Sequence, residues 1–483
     1  MVTRNPLLTR REFSASLLAA PARAPNILTI ICDQLNPAVT SVYGGPVPAP
    51  NMERLARRGV VFTNATCPTP FCSPSRASLV TGRWPHAHRI VHNVSRIDYP
   101  AITSPSTEQG LLASDITADQ LLHRAGYSTH QYGKWHLSGD PLAYYPDQYG
   151  EHREYAREMA GTFSEIRRRA EPEWMNWYGW ILPVTCESAY RNSFPPDDPI
   201  RQTPYRDFIT KIGRLDLSGD QVFDARVTSR TIDRIRSAAS NPFSITCSLN
   251  WPHDPNVIHS PYYEMFDPSK IELPATLNQR EPRFEDDLSR RMVAAAPLPR
   301  LREFLRVYYA SVRFIDDQLG RILDALDAAG LTADTVTIFT SDHGDMTGGH
   351  GMAWKSTSSF YEEIVRIPLI MSWPGRFHPS RPESAASLTD LAPTILDLAG
   401  RPIPESMQGT SLAPILRGSS SARNRYVYRF SERVRPNAGR TRNIAAGTPV
   451  ECMVRGAGWK YIRYSDGGDY LYQLSKDPGE NIS

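Results

Sequence analysis

Asn26 to Cys32, NILTIIC, is a continuous apolar run with no alternation, and it ends abruptly in Asp33-Gln34. A strand that is apolar on both faces must be covered on both faces, which suits a parallel strand between two layers of helices. Thr335 to Ser341, TVTIFTS, repeats the design and ends in Asp342-His343. Phe243 to Leu249, FSITCSL, leads through Asn250-Trp251-Pro252 to His253. Ligands gather at the C-terminal ends of strands in open α/β sheets, so these polar residues are expected together along one edge. Helical patterns lie between the runs. Asn51 is a candidate N-cap for a helix to Arg58, and Phe304 to Ala329 carries Val307, Tyr308, Val312, Ile315, Leu319, Ile322 and Leu326 at helical spacing before Gly330. Strand and helix alternate, so the class is α/β.

The texture changes after a Pro-rich stretch around Trp373 to Pro382 and one more amphipathic helix, Asp390 to Leu398. Tyr426 to Phe430, Trp459 to Tyr464 and Tyr470 to Leu474 are short aromatic runs, and Asp466-Gly467 is a hairpin signal. A chain of 483 residues is expected to hold one large domain and a smaller partner. The divisions drawn are 25–400 for the large domain and 401–483 for a small antiparallel subdomain. Residues 139–221, rich in Arg, Glu, Pro and Trp, fit neither pattern and read as an insertion.

Charge and export signals bound the partners. A net charge of +3 over 54 basic and 51 acidic residues leaves no nucleic-acid footprint, so any preference for anions must be local. No uninterrupted apolar run reaches the roughly 18 residues of a membrane helix, so no membrane span is expected. Residues 1–24 differ from the rest: Arg4, Arg10 and Arg11 precede the small apolar run Phe13 to Ala20 and the patterns Ala20-Pro21-Ala22 and Ala22-Arg23-Ala24. Thr9-Arg10-Arg11-Glu12-Phe13 looks like a twin-arginine export signal, which implies a periplasmic or secreted protein. The alternative is a frayed basic N-terminus. Pro25 would hinder cleavage after Ala24, so Ala22 is the better site. Six cysteines (Cys32, Cys67, Cys72, Cys186, Cys247 and Cys452) show no C-x-x-C spacing, and an oxidising compartment would permit one or two disulfides. Cys32 and Cys247 sit in strand-like runs, where a cysteine acts as a small buried hydrophobe.

Chemistry concentrates in Phe71-Cys72-Ser73-Pro74-Ser75-Arg76 and its continuation through Leu79-Val80-Thr81-Gly82. Pro74 suits a first helical turn, where it has no N–H to lose, so Cys72 is expected at a helix N-terminus whose free donors face an anion. Arg76 adds a fixed positive charge. Helix N-termini and arginine lower a thiol pKa, which leaves two readings of the residues alone: an activated thiolate at an anion site, or a structural cysteine.

C-x-P-S-R followed by L-x-T-G resembles the signature of the sulfatase family without departure at those positions. The resemblance extends from Asn26 through Trp459-Lys460-Tyr461 and Leu471-Tyr472 to Asp477-Pro478-Gly479-Glu480. It implies the fold of the alkaline phosphatase superfamily: a large mixed β-sheet flanked by helices, with a smaller C-terminal domain of antiparallel sheet and helix. It also implies that a formylglycine-generating enzyme oxidises Cys72 to formylglycine, whose aldehyde hydrates to a geminal diol. One diol oxygen attacks sulfur; the other, once deprotonated, expels sulfate and restores the aldehyde. Serine and thiol cannot follow this route, because neither sulfated adduct has a second hydroxyl on the same carbon.

The remaining motifs carry over by position. Asp33 and Gln34 match the family's first metal pair, and the Asp-Gln form looks more like the branch holding choline sulfatases and phosphonate monoester hydrolases. Asp342 and His343 match the second pair, with Cys72 completing the set. Taken singly, an Asp at a strand end is as well read as a cap or turn residue; together these donors suit one hard divalent cation, calcium first and magnesium second. Gly133-Lys134-Trp135-His136-Leu137 resembles the family's G-K-W-H-L segment, so Lys134 would neutralise sulfate and His136 would accept the diol proton. His253 and Lys355, in Ala353-Trp354-Lys355, correspond to groups facing the leaving oxygen and the sulfate. The implied activity is hydrolysis of a sulfate monoester, on a sulfated small molecule or glycan. Two rivals stand beside it: a phosphonate monoester or phosphodiester hydrolase with the same site, and an unmodified, inactive binding protein. Two clusters receive blander readings. His86, His88 and His92 fit no common zinc spacing and read as pocket wall, while Trp174, Trp177 and Trp180 read as the buried face of an insertion helix.

Overall fold

The computed structural model describes residues 24–91, 93, 110–112, 114–137, 212–215, 219–220, 222–238, 241–254, 256–279, 281–285, 287–356, 359–419, 428–434, 450–456 and 458–482. The export-like segment before Ala24, His92, Cys186, the three tryptophans at 174, 177 and 180, and most of 139–221 lie outside them.

Six strands build the main sheet: β1 (Asn26–Asp33), β2 (Gly59–Val61), β3 (Ser128–Gly133), β4 (Phe243–Pro252), β5 (Thr335–Ser341) and β6 (Leu369–Ser372), in the spatial order β2-β6-β5-β1-β4-β3. β1 pairs in parallel with β4 and β5, and β3 in parallel with β4, whereas β6 runs antiparallel to both its neighbours. The sheet is therefore mixed. The parallel strands β1 and β5 are buried along their whole length, which is what their unbroken apolar runs require.

Successive side chains of β1 enter opposite cores. Leu28, Ile30 and Cys32 pack with α1 (Pro50–Arg57), α4 (Phe223–Arg236) and the long α5 (Leu298–Ala328). Ile27 and Ile31 pack on the other face with α3 (Ala118–Arg124), α6 (Leu391–Leu398) and the C-terminal sheet. Each fully buried Leu or Ile contributes roughly 1.5–3 kcal/mol, so this double cover fixes β1 and the residues at its end.

Helix limits follow local chemistry. Asn51 does not cap α1: Pro50 takes the first helical position, its missing N–H costing nothing there, and Asn51 instead donates from its backbone N and Nδ2 to Asp316 of α5. α5 begins at Leu298, six residues before the expected start, because Pro299 in the first turn is tolerated. α2 (Cys72–Thr81) starts as expected, with Pro74 in its first turn, and Gly82 closes it at φ 64°. The C-terminal sheet is antiparallel and runs in chain order: β7 (Tyr428–Val434), β8 (Val450–Gly456), β9 (Lys460–Arg463) and β10 (Asp469–Tyr472). The Asp466-Gly467 signal lies in the β9–β10 hairpin, while β8 was not foreseen. Cys32, Cys67, Cys72, Cys247 and Cys452 are all free thiols, so the disulfides the sequence would permit do not form among the described cysteines.

Candidate active site

Three buried ends meet here. β1 delivers Asp33 and Gln34, β5 delivers Asp342 and His343, and α2 delivers Cys72, every one of them buried. The ligand atoms of Asp33, Cys72, Asp342 and His343 lie within 4.8 Å of one another. Gln34 holds a left-handed φ of 67°, a conformation uncommon outside glycine. It is fixed there by its N–H to Asp342 Oδ1 (3.1 Å), by Nε2 to Asp345 Oδ2 (2.6 Å) and by Tyr308 of α5, whose hydroxyl donates to its carbonyl (2.7 Å). Ser341 ties the two strand ends together, accepting the Leu35 N–H at 2.9 Å and donating to the His343 carbonyl at 2.8 Å.

Arg76 is the keystone between the strands. Its guanidinium donates to Asp33 (2.9 Å), Asp342 (2.8 Å), the Ser248 hydroxyl (2.8 Å) and the Lys134 carbonyl (3.1 Å). Gly133 is required beside it: at φ 87° it turns the chain out of β3, and a Cβ would come within 2.0 Å of the Ser248 carbonyl oxygen. The turn sends Lys134 Nζ to Asp33 Oδ2 at 2.7 Å. From the opposite wall Lys355 Nζ lies 3.2 Å from Cys72 Sγ and donates to His253 Nε2 at 2.8 Å. His253 Nδ1 donates to the Asp254 carbonyl at 2.6 Å, which leaves Nε2 facing the site.

This crowding sets the charges. Although burial resists it, Lys134, His253 and Arg76 hold the Asp33 carboxyl well below the usual carboxylate range. Burial and then the neighbouring Asp33 push Asp342 up to about 6. Burial works against the Cys72 thiolate, yet Lys355, Lys134 and His343 pull its pKa well below the usual thiol range. Burial opposes a charged His343 as well, but Asp342 and Cys72 lift its imidazole to about 9. His136 is driven the other way: burial, reinforced by Lys134 and Arg76, lowers it to about 4 and keeps it a neutral base.

A divalent cation fits these residues. Gln34 Oε1 is buried without a hydrogen-bond partner, a loss of about 1–3 kcal/mol for an acceptor that nothing meets. His343 Nδ1 bonds the Gly344 carbonyl at 2.8 Å, the arrangement that frees Nε2 for a ligand role. Two carboxylates, an amide oxygen and one imidazole are donors for a hard cation. Beside them Lys134, Lys355 and Arg76 concentrate positive charge around Cys72, the charge balance an anion would need.

The structure brings Asp33, Gln34, Cys72, Arg76, Lys134, His136, His253, Asp342, His343 and Lys355 to this one edge. Of the histidine cluster, the two described members, His86 and His88, do not join it. His88 is buried, its Nε2 3.0 Å from the Ser78 hydroxyl, and His86 pairs with Glu432 at the surface. Four residues were missed by sequence reasoning. Asp345 holds Gln34, and the pattern Asp342-His343-Gly344-Asp345 could have shown it. Ser248, inside the β4 run, orients Arg76. Asn93 accepts the Ser73 N–H at 3.1 Å and stands 3.9 Å from Cys72 Sγ, and nothing near it in the chain signals this. Asp224 accepts two backbone N–H groups beside His253.

Residues 25–401 match the family described as sulfatase, and residues 348–483 match the one described as N-sulphoglucosamine sulphohydrolase, C-terminal. The choline-sulfatase of Rhizobium meliloti is 27% identical over 481 residues, covering 94% of this chain and 81% of its own. The delta 4,5-hexuronate-2-O-sulfatase of Bacteroides thetaiotaomicron is 29% identical over 476 residues, covering 96% and 86%. Among solved structures, the phosphonate monoester hydrolase of Agrobacterium radiobacter superposes with a TM-score of 0.71 at 24% identity, over 95% of this chain and 91% of that one.

Proposed function

The chain belongs to the sulfatase family and is a sulfuric ester hydrolase, and on that premise we propose that it cleaves a sulfate monoester at Cys72, converted to formylglycine, beside one divalent cation held by Asp33, Gln34, Asp342 and His343. One observation carries the reading: Cys72 Sγ lies 3.2 Å from both His343 Nε2 and Lys355 Nζ, inside a buried ring of acidic and basic groups. Calcium is the first choice of cation for so oxygen-rich a set, with magnesium the second. Bound there, it would polarise the sulfuryl oxygens. As formylglycine hydrate, residue 72 would supply one hydroxyl to attack sulfur and a second whose deprotonation releases sulfate; the Sγ atom stands in for those oxygens.

Each remaining side chain has a task that its position suits. Arg76 keeps Asp33 and Asp342 ionised and apart. Lys134 and Lys355 neutralise the transferring sulfate from two sides, electrostatic stabilisation that needs no reorganisation during reaction. His136, neutral at ordinary pH, accepts the proton of the second hydroxyl. His253, held through Nδ1, presents Nε2 to the leaving oxygen; taking a proton at Nε2 from Lys355, its 2.8 Å donor, it would pass that proton to an alcohol of high pKa.

For the substrate, a sulfated sugar is the choice, because the relatives named above include a hexuronate-2-O-sulfatase and the C-terminal region matches that of an N-sulphoglucosamine sulphohydrolase. Export by the twin-arginine route, to the periplasm or beyond, remains part of the proposal from Arg10-Arg11; Arg10→Lys with Arg11→Lys should trap the precursor inside the cell. Gln34 keeps a second reading in view, phosphonate monoester hydrolysis, since the branch it resembles holds phosphonate monoester hydrolases beside choline sulfatases. Kinetic comparison of an aryl sulfate with an aryl phosphonate monoester separates the two: faster turnover of the phosphonate overturns the sulfatase choice. Peptide mass tests the nucleophile, and an alkylatable Cys72 throughout fully active enzyme would refute it.

A further inference from the structure

Asp224 stands outside the ring of groups that face the ester, yet its carboxylate is bound into the segment that ends in His253. The β1–β4 ladder runs in register from Ile27↔Ser244 to Ile31↔Ser248 and then slips, the next pair being Asp33↔Pro252. β1 advances two residues across that slip while β4 advances four. On its other side β4 has already lost its neighbour, for the β3 ladder stops at Gly133↔Ser248. Asn250 and Trp251 thus lie in a bulge with no strand to take their N–H groups. A buried backbone donor must be met, and Asp224, in the first turn of α4 and 2% exposed, meets both: Asn250 N–H reaches Oδ1 and Trp251 N–H reaches Oδ2, each at 2.8 Å. The bulge then closes through the His253 N–H to the Asn250 carbonyl at 3.1 Å. At its tip His253 Nε2 comes 2.8 Å from Lys355 Nζ and 4.0 Å from Asp33 Oδ1. Bulges next to active sites re-aim a side chain in this way.

We infer that Asp224 is a positioning residue for the leaving-group step: its two carboxylate oxygens set the β4 bulge that aims His253 at the ester oxygen. The inference rests on the role given to His253 above. Replacing one carboxylate oxygen by an amide NH2 takes the 2.8 Å acceptor from one of the two N–H groups, so the bulge and His253 would shift, while Cys72, on α2, and Asp342 and His343, at the end of β5, keep their own supports. Misplacement should therefore be felt by esters that need a proton and ignored by those that do not.

Asp224→Asn keeps the shape, loses one acceptor and turns an amide donor against a backbone donor. With an aryl sulfate series running from para-nitrophenyl to unsubstituted phenyl, kcat/KM should fall roughly tenfold to a hundredfold for phenyl sulfate and less than about threefold for para-nitrophenyl sulfate. His253→Ala is measured beside it, and the double variant should be no worse on phenyl sulfate than His253→Ala alone, since both changes remove one function. A defect in folding alone would lower every ester by one factor and would add to the His253 loss. Should Asp224→Asn fail to accumulate as folded protein, Asp224→Ser, which leaves room for a water, takes its place in the same series. A uniform loss, no loss, or full additivity while His253→Ala remains selective overturns the positioning role alone. If His253→Ala itself loses the same factor on every ester, the assignment of His253 falls, and Asp224 falls with it.

Discussion

The fold buries two ionic clusters, and they differ in the way that separates a site from a staple. At the C-terminal junction Arg455 forks onto Glu362 at 2.8 and 2.7 Å, Lys460, wholly buried, donates to the Phe360 carbonyl at 2.8 Å and pairs with Glu362 and Glu480, and Glu480 accepts the Glu362 N–H at 2.7 Å. Two acids face two bases, and each has a partner of opposite sign. At the edge of the large sheet, by contrast, Asp33 and Asp342 crowd together, three basic side chains converge on a thiol, and Gln34 Oε1 meets nothing. Burial of charge is common to both. Only the second gathers its charges around a thiol, and that is what a reacting ligand can use.

The difference is broken most severely at residue 72. Cys72→Ala should remove turnover by about a millionfold, the scale seen when a nucleophile is deleted, while thermal unfolding stays within a few degrees. Removal of the cation should abolish turnover too, with elemental analysis returning about one calcium or magnesium per chain and activity returning on its re-addition. Full turnover in metal-free protein would make the open cluster another staple.

Next in size is His136→Ala, expected to cost roughly a hundredfold to ten-thousandfold, as for other positioned bases. Because the proposed proton transfer follows sulfate transfer, the variant should release the alcohol in a fast burst and then stall. Equal slowing of burst and steady phases would place His136 in the earlier step.

Lys460→Met probes the closed cluster. Breaking a buried pair by removing one partner costs about 3–5 kcal/mol, so unfolding should shift sharply. Turnover per folded molecule should change less than about threefold. Activity lost in proportion to stability would mean that the junction also shapes the site.

The two clusters were not equally legible. Strand ends and the Cys72 helix are legible from the apolar runs and from Pro74, but Asp33, Gln34, Asp342 and His343 became a candidate metal set only through the resemblance to the sulfatase signature, since an Asp at a strand end is as well read as a cap or turn residue. Residues that act through backbone are silent in sequence. Asp224 looks like any acid in a helix's first turn, and its partners are N–H groups that every residue has. Lys460 and Glu480 stand in recognisable motifs, yet nothing local says that they bury one another, since that contact depends on how β9 and the chain end pack on Phe360 and Glu362. β8 went unseen because its buried positions alternate and include charged residues: Arg455 is buried against Glu362 and Glu451 accepts from the Ser465 hydroxyl at 2.9 Å.

The smallest effect is expected where an ion pair joins the same two regions in water. His86 Nδ1 lies 2.8 Å from Glu432 Oε2, linking the turn after α2 to β7, but its side chain is 52% exposed. The hydrogen bond it donates to Glu432 raises its pKa above the ordinary histidine value, against a smaller opposing pull from burial. A raised folded-state pKa means that the stabilisation is fully present below about pH 6.5, the unfolded value, and is lost as pH climbs through the folded value. Solvent screening limits such a pair to about 0.2–1 kcal/mol. His86→Ala should therefore destabilise by that amount near about pH 6 and by almost nothing near about pH 9, because the Glu432 carboxylate keeps its bond from the residue-86 backbone N–H, 2.7 Å long, in both forms. Denaturant melts of the two proteins at both pH values measure the difference of differences. A gap that widens with pH, or one as large as that of Lys460→Met, would show that exposure does not discount this pair and that the contrast between open, closed and solvated charge needs redrawing.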